Sequence, residues 1–394
     1  MQNEAESNNL ATSDTLVNSL FVNSLGFAKA EKDTKVVVAM SGGVDSSVVA
    51  CMLKQQGYEV IGVTLQLYDL GEVMKKKNAC CAGVDIFDAK QVAWKFDFPH
   101  YVLNYQSRFK NAVIEEFADS YLRGETPIPC VSCNQTVKFN DLLEFAKELG
   151  ADCLATGHYV KRVGTKNEAT MHKATDSKKD QSYFLFATTK EQLKFLRFPL
   201  AENSKEQTRQ MAESFGLAIS QKPDSQDICF VVDGDYAKVV ASIRPSAFKE
   251  GDVINIANNQ KIGKHSGIIN FTIGQRRGLG IAHPKPLFVV KIDAKANIVY
   301  VGEEHDLKKQ QFLIKKCNWL GAEDWQSLIN STNKIKVRLR SNHCEEEAEI
   351  KFLANFEAII SMTKSTKAVT PGQACVFYQE DQVLGGGWIT NEIH

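Results

Sequence analysis

The chain has 394 residues, 43% hydrophobic, 24% charged and 9% aromatic; that composition excludes disordered, collagen-like and coiled-coil chains, and the length predicts two or three domains. Forty-seven Lys and Arg balance 47 Asp and Glu, which argues against a wholly basic nucleic-acid binder and leaves room for a local basic face. No apolar run reaches about 18 residues, so no membrane span is predicted, and ten cysteines are too sparse for a disulfide scaffold.

Residues 1–33 read as a polar extension. VNSL occurs at 17–20 and again at 22–25, near helical spacing, so a short amphipathic helix and a loose tail are both open. Glu4, Glu6 and Asp14 precede the first basic residue, Lys29. Neither a signal nor a transit peptide has that pattern, so a cytoplasmic, reducing setting is expected.

From Lys35 the pattern sharpens. Val36–Met40, Val60–Leu65, Tyr101–Leu103 and Cys153–Thr156 read as short buried strands. Helical periodicity runs from the SGGVDSS segment to Gln56, over Asp85–Phe96, through Phe109–Tyr121 and over Thr136–Leu149. Strands alternating with helices predict an α/β unit with a parallel sheet, its ligands beyond the carboxyl ends of the strands. After about residue 235 short β-rich pieces take over: Gly251–Ile256, Leu287–Ile292, Ile298–Val301, Lys334–Leu339, Ala348–Phe352 and Ala374–Tyr378. Turn signals between them, Gly385–Gly387 included, predict a β-barrel or sandwich. The expected division is 34–235 catalytic, 236–305 linking and 306–394 β-barrel.

The segment Ser41-Gly42-Gly43-Val44-Asp45-Ser46-Ser47 sits between a predicted strand and a predicted helix. Two glycines permit a tight turn and close ligand approach. Free amides at the helix start, three hydroxyls and the helix dipole make an anion site. The Walker Gly-Lys-Ser/Thr is absent.

Cys130 and Cys133 lie in a loop entering the helix expected at Thr136. A helix start there would lower the Cys133 pKa and favour thiolate. The C-x-x-C spacing is also half a zinc site, but Cys80-Cys81 are adjacent and poorly spaced to complete it, so no metal ligands are assigned. Cys229, in Asp227-Ile228-Cys229-Phe230, has no helical period and is the other cysteine of interest; core packing suits most of the rest.

SGGVDSS resembles the PP-loop of the ATP pyrophosphatase superfamily, which cleaves ATP between its α and β phosphates, normally with Mg²⁺. Further along, ATGHYV (155–160), SKKDQSYFL (177–185), KPDSQDICF (222–230), GQRRGLG (274–280) and TPGQACVFY (370–378) follow in an order similar to that of the tRNA-specific 2-thiouridylase (MnmA/TrmU) family, over about residues 34–394. The resemblance implies a PP-loop domain, a small central domain and a C-terminal β-barrel. It implies ATP-dependent transfer of sulfur to C2 of the wobble uridine in tRNAs for Lys, Glu and Gln. Cys229 then corresponds to the persulfide carrier and Cys133 to the catalytic nucleophile. Ala39, Met40, Ser41, Gly42, Gly43, Val44, Asp45, Ser46, Leu65 and Gly157 correspond to ATP contacts. Ile128, Pro129, Cys130, His158, Lys179, Asp180, Gln181, Arg338, Leu339 and Gln373 correspond to tRNA contacts. A cysteine desulfurase or sulfur-relay protein is the expected donor.

One departure stands out. Many members have Asn-Pro-Asp where this chain has Ile128-Pro129-Cys130, and a thiol cannot simply fill a carboxylate's role. An iron–sulfur cluster on Cys130, Cys133 and Cys229 is therefore an alternative to persulfide chemistry. Other readings are a PP-loop ligase acting on a small molecule, which leaves the cysteine pair unexplained, and a non-enzymatic RNA binder, which has no need of SGGVDSS. Candidate RNA contacts by charge are Lys178-Lys179, Lys261, Lys264, Arg276-Arg277 and the alternating Lys334, Lys336, Arg338 and Arg340, which form either a phosphate track or a solvated face.

Overall fold

The computed structural model describes residues 22–67, 82–165, 168–224, 227–231, 234–367 and 369–390. The strands β1 (Lys35–Ala39), β2 (Glu59–Gln66), β3 (His100–Asn104) and β4 (Cys153–Thr156) form a parallel sheet. A short hairpin follows, β5 (Lys161–Val163) and β6 (Thr170–His172), and then β7 (Leu196–Arg197). The sheet order is β3-β2-β1-β4-β7. Successive strands step one way from β1 and then the other way, which puts a topological switch point between the carboxyl ends of β1 and β4.

Alternation along β1 explains why both faces are covered. Val36 and Val38 join a core with the helices Val44–Gln55 and Ala82–Lys95. Val37 points the other way, into a core with Phe139, Leu142 and Leu143 of the helix behind the sheet. Among the described residues no helix is long and apolar enough to cross a membrane.

The central unit holds β8 (Gly251–Asn255), β9 (Gln260–His265), β10 (Phe288–Asp293) and β11 (Ile298–Gly302), in the order β10-β11-β8-β9. Its apolar face closes on Phe117, Ala118 and Tyr121 of the helix Glu115–Leu122. The last unit has β12 (Lys309–Trp319), β13 (Thr332–Arg338), β14 (Glu346–Phe352), β15 (Ala358–Thr366), β16 (Ala374–Gln379) and β17 (Gln382–Ile389). They are ordered β12-β15-β14-β13-β16-β17, and a β12–β17 pairing closes the barrel. The hairpin β5–β6 extends β17 through Gln382 opposite His172 and Val383 opposite Met171, so the parallel-sheet unit and the barrel share main-chain hydrogen bonds.

Three expectations change. Residues 22–33 are no loose tail and 22–25 form a turn, not a helix. The Asn23 carboxamide ties the turn together, accepting from the amides of Leu25 and Phe27 (both 3.1 Å), and Leu25 and Phe27 enter the core. Residues 1–21 and Cys80-Cys81 lie outside the described residues. The alternating cations of β13 do project to one face, but Lys334 sits opposite Glu349 and Lys336 opposite Glu347 on β14. That face is neutralised across the strands, which fits a solvated surface better than a phosphate track. Finally, the helix expected to start at Thr136 starts at Pro129, with Pro at its first position.

Candidate active site

The carboxyl end of β1 turns through Met40–Gly43 into the helix Val44–Gln55. Met40 is buried and donates its amide to Val63 O (2.8 Å), which fixes the exit from Ala39. Gly42 has φ +74°, and a Cβ there would run into the Asp85 carbonyl oxygen. Gly43 caps the helix without a side-chain hydrogen bond, so no cap side chain occupies the first-turn amides. Ser46 Oγ accepts from the Ser41 amide (3.1 Å) and meets Ser41 Oγ (3.2 Å). Ser47 Oγ is buried with no hydrogen-bond partner. First-turn amides left free by the cap, a hydroxyl pair and an orphaned hydroxyl fit a polyphosphate.

Across the switch point, Gly157 and His158 follow β4. A Cβ on Gly157 would lie 2.7 Å from the Ser46 nitrogen and 2.9 Å from the Asp45 carbonyl carbon, so only glycine allows this approach. The His158 ring meets Thr156 Oγ1 through Nδ1 (2.9 Å) and packs edge-on to Phe139. Burial, aided by the Lys138 charge, pushes its pKa down to about 3, so the ring is neutral at physiological pH.

Lysines and aspartates brace the loop. Lys205 Nζ bridges Asp45 (2.7 Å) and Asp224 (2.7 Å), and Asp224 also holds Lys179 (2.6 Å) and Arg209 (3.3 Å). Burial opposes ionisation of Asp224, but Lys179 and Lys205 outweigh it and hold the carboxyl below its usual range. Lys222 reaches the Gly42 carbonyl (3.1 Å) while paired with Asp85 and Asp88 (both 2.6 Å). The Tyr159 hydroxyl donates to Asp45 Oδ1 (2.8 Å). Lys222 and Asp224 lie in the KPDSQDICF motif, so the sequence flagged their segment without their role. Lys205 opens an ordinary capped helix, Lys205–Ser214, and carries no local signal.

The helix that carries Cys130 and Cys133 packs against the end of β2. Pro129–Cys133 runs directly into a widened helical stretch, Asn134–Asp141; such turns recur at functional sites. Cys133 is 7% exposed and packs with Phe109, Val113 and Val137; Leu65, at the end of β2, touches the same cluster. Because the helix begins four residues earlier, Cys133 is not at its N-terminus. Burial raises its thiol pKa, with Lys138 pulling down and Cys229 pushing up. The expected thiolate-stabilising helix start is therefore corrected to a buried thiol moderated by Lys138. Cys130 reaches the surface, yet the surrounding protein still desolvates its sulfur and, with the Cys229 charge, pushes its pKa up to about 11. Cys229 is exposed and near enough for its charge to act on both. Its neighbour Phe230 anchors it, edge-on to Phe109 (5.9 Å) and Phe117 (5.1 Å). Among the described residues no three His, Cys, Asp or Glu side chains gather as a metal-binding set. The three cysteines thus share a neighbourhood without converging as ligands, and an iron–sulfur cluster does not fit this arrangement.

The residues matched to tRNA contacts divide. Ile128 and Pro129 are buried under the cysteine helix. Asp180 is 3% exposed and accepts from Ser182 Oγ (2.7 Å), the amides of Ser182 and Ala174 (both 3.2 Å) and Arg338 (3.1 Å). Arg338 also pairs with Glu345 (3.1 Å) and lies over the Tyr378 ring. Gln181 Oε1 accepts from the Tyr159 amide (2.9 Å). The Leu339 side chain is buried and its carbonyl meets Tyr183. Gln373 donates to the Thr126 carbonyl (2.8 Å). In this arrangement the Asp180–Arg338, Tyr183–Leu339 and Gln373–Thr126 contacts join the parallel-sheet unit to the barrel.

The comparisons agree with this architecture. Residues 34–233 match the model described as tRNA methyl transferase HUP domain, 237–303 the tRNA methyl transferase PRC-barrel domain, and 309–389 the aminomethyltransferase beta-barrel domain. Among curated relatives, the tRNA-specific 2-thiouridylase MnmA of Rickettsia massiliae is 57% identical over 363 residues, covering 92% of this chain and 98% of the relative. That of Rickettsia conorii is 56% identical, covering 92% and 97%. With a PP-loop at the switch point, two cysteine-bearing segments packed on one cluster and this identity along nearly the whole length, the chain belongs to the tRNA-specific 2-thiouridylase MnmA family.

Proposed function

We propose that this chain is a tRNA-uridine 2-sulfurtransferase of the cytoplasm, acting on the wobble uridine of tRNAs for Lys, Glu and Gln. The observation that supports this most is the identity of 56–57% with 2-thiouridylases along nearly the whole chain, together with the packing of Phe230, next to Cys229, on the cluster that holds Cys133. A uridine C2 carbonyl is a poor electrophile, and its oxygen a poor leaving group. Attack of that oxygen on the α-phosphorus of ATP releases pyrophosphate and turns the oxygen into part of AMP. Amides at 41–47 hold the phosphates, and Mg²⁺ on the phosphate oxygens supplies charge neutralisation when bound. The target base must leave the anticodon stack, at a cost of about a few kcal/mol.

A persulfide on Cys229 then attacks C2, forming the C–S bond and expelling AMP. Cys133 thiolate attacks the Cys229 sulfur, breaks its bond to the transferred sulfur and forms a Cys133–Cys229 disulfide. Sulfur stays on C2. Turnover requires a dithiol to reduce the disulfide and a sulfane-sulfur donor of the cysteine desulfurase or relay class. Units 34–235, 236–305 and 306–394 divide the work into activation, linkage and RNA docking.

Cys229→Ser and Cys133→Ser test the scheme. Both variants are expected to adenylate tRNA and so release pyrophosphate from ATP in the presence of tRNA. The first should accept no radiolabelled sulfur at position 229; the second should stall with that residue labelled. Label on neither cysteine of the wild-type protein during turnover would sink the persulfide route.

A further inference from the structure

The barrel turn at 370–374 grips the loop that leads into the cysteine helix. The Thr126 amide donates to the Pro371 carbonyl (2.8 Å), and the Thr126 carbonyl accepts from Gln373 Nε2 (2.8 Å). Both polar groups of one peptide-bearing residue are thus satisfied by the barrel. Gly372, between the two contacts, has φ +85°, and a Cβ there would lie 2.8 Å from the Thr126 nitrogen and 2.9 Å from its oxygen. The turn itself is braced: Gly372 N donates to Ile389 O (2.9 Å), Arg340 to Thr370 Oγ1 (2.7 Å), and the Tyr183 hydroxyl to Ala374 O (3.1 Å). On the other side of the loop, Gly124 (φ +73°) packs against Ile292 of the central unit. Only Pro127 and Ile128 separate the gripped residue from Pro129, the first residue of the helix that ends at Cys133.

We propose that Gln373 is a positioning residue for sulfur release, acting on Cys133 through Thr126. A loop held at both polar groups of Thr126 enters the helix at one angle, which fixes where Cys133 presents its sulfur to Cys229. The barrel then contributes to the chemistry by geometry, besides any surface it offers to RNA. The proposal rests on the cysteine-pair reading given above.

Gln373→Met keeps length and loses the donor. Gly372→Ala pushes on the same peptide from within the turn. Each variant is oxidised with diamide, which takes up two electrons and two protons, and Cys133–Cys229 disulfide formation is timed by mass spectrometry without tRNA. The expected result is disulfide formation about five- to tenfold slower, the rate equivalent of one lost hydrogen bond. Thiolation kcat should fall by a similar factor, with KM for tRNA within about twofold. Wild-type disulfide kinetics with weakened tRNA binding would make Gln373 an RNA contact and overturn the proposal, as would two variants indistinguishable from wild type. Hydrogen exchange on the unaltered protein adds a test independent of refolding. The peptide over 124–129 should be protected, and exchange at the rate of an exposed loop overturns the grip. If wild type neither forms the disulfide nor thiolates tRNA, the cysteine-pair reading fails instead, and the exchange result alone decides the grip.

Discussion

Asp180 offers the sharpest test of how the barrel is attached. Its family counterpart is matched to tRNA, yet here its carboxylate is 3% exposed and accepts four hydrogen bonds, one from Arg338, itself 15% exposed. Removing one partner of a buried pair costs about 3–5 kcal/mol, chiefly because the other charge is left uncompensated. Arg338 keeps Glu345 at 3.1 Å, so the lower end applies to Asp180→Ala, about 3 kcal/mol. With a urea m-value of about 2–3 kcal/mol/M for the unit that unfolds, the midpoint should fall by about 1–1.5 M. Trp319, Trp325 and Trp388 all lie in the barrel region and report the transition by fluorescence. Asp180→Leu combined with Arg338→Met should recover only the part of the loss due to the uncompensated guanidinium, because the Ser182 and Ala174 amides still lack their acceptor. An unchanged midpoint in Asp180→Ala, with tRNA affinity lost, would refute the reasoning and turn the side chain toward RNA.

Two further perturbations address the chemistry. Gly157→Ala puts a methyl 2.7 Å from the Ser46 nitrogen, so the phosphate loop must move; tRNA-dependent AMP release should drop about 100-fold with tRNA affinity kept, and a wild-type rate would show that the loop yields freely. Burial holds the Cys133 pKa above the usual thiol range, so its thiolate fraction, and single-turnover sulfur release, should keep climbing with pH through the mildly alkaline range. Lys138→Gln removes the lowering influence and should shift that profile to higher pH, whereas a plateau below pH 8 would contradict a raised thiol. His158, pushed to about 3, is neutral throughout this window and adds no inflection.

Much of the parallel-sheet unit was legible because its strands are short apolar runs bounded by turn residues. Cys153–Thr156 is fully buried and paired on both sides, the condition under which hydrophobicity alone marks a strand. The hairpin β5–β6 was not legible, since its polar residues are held by pairing to β17, two hundred positions away. Gly385–Gly387 read as a turn and proved to be strand. A Cβ on Gly386 would lie 2.6 Å from the Cys375 carbonyl oxygen and one on Gly387 2.6 Å from Cys317 Sγ, so these glycines mark close approach within the barrel. At the site, glycines and cysteines were visible as types. The position of Cys133 within its helix was not, because Pro129 was read as loop although proline favours the first helical turn.

The charges around the phosphate loop explain how a neutral chain can handle a triphosphate without a Walker lysine. Asp45, Asp85, Asp88 and Asp224 face Lys179, Lys205, Arg209 and Lys222 within ion-pair distance. Four carboxylates thus meet four cations. Lysines already paired in this way with partly buried carboxylates contribute little net field to an incoming anion. Their geometric effect is larger: Lys222 holds the Gly42 carbonyl, and Lys205 ties Asp45 to the segment that continues to Cys229. Backbone amides and hydroxyls are then the main groups left to meet a phosphate. The same aspartate–lysine frame keeps the base of the Cys229 segment fixed while the phosphates leave.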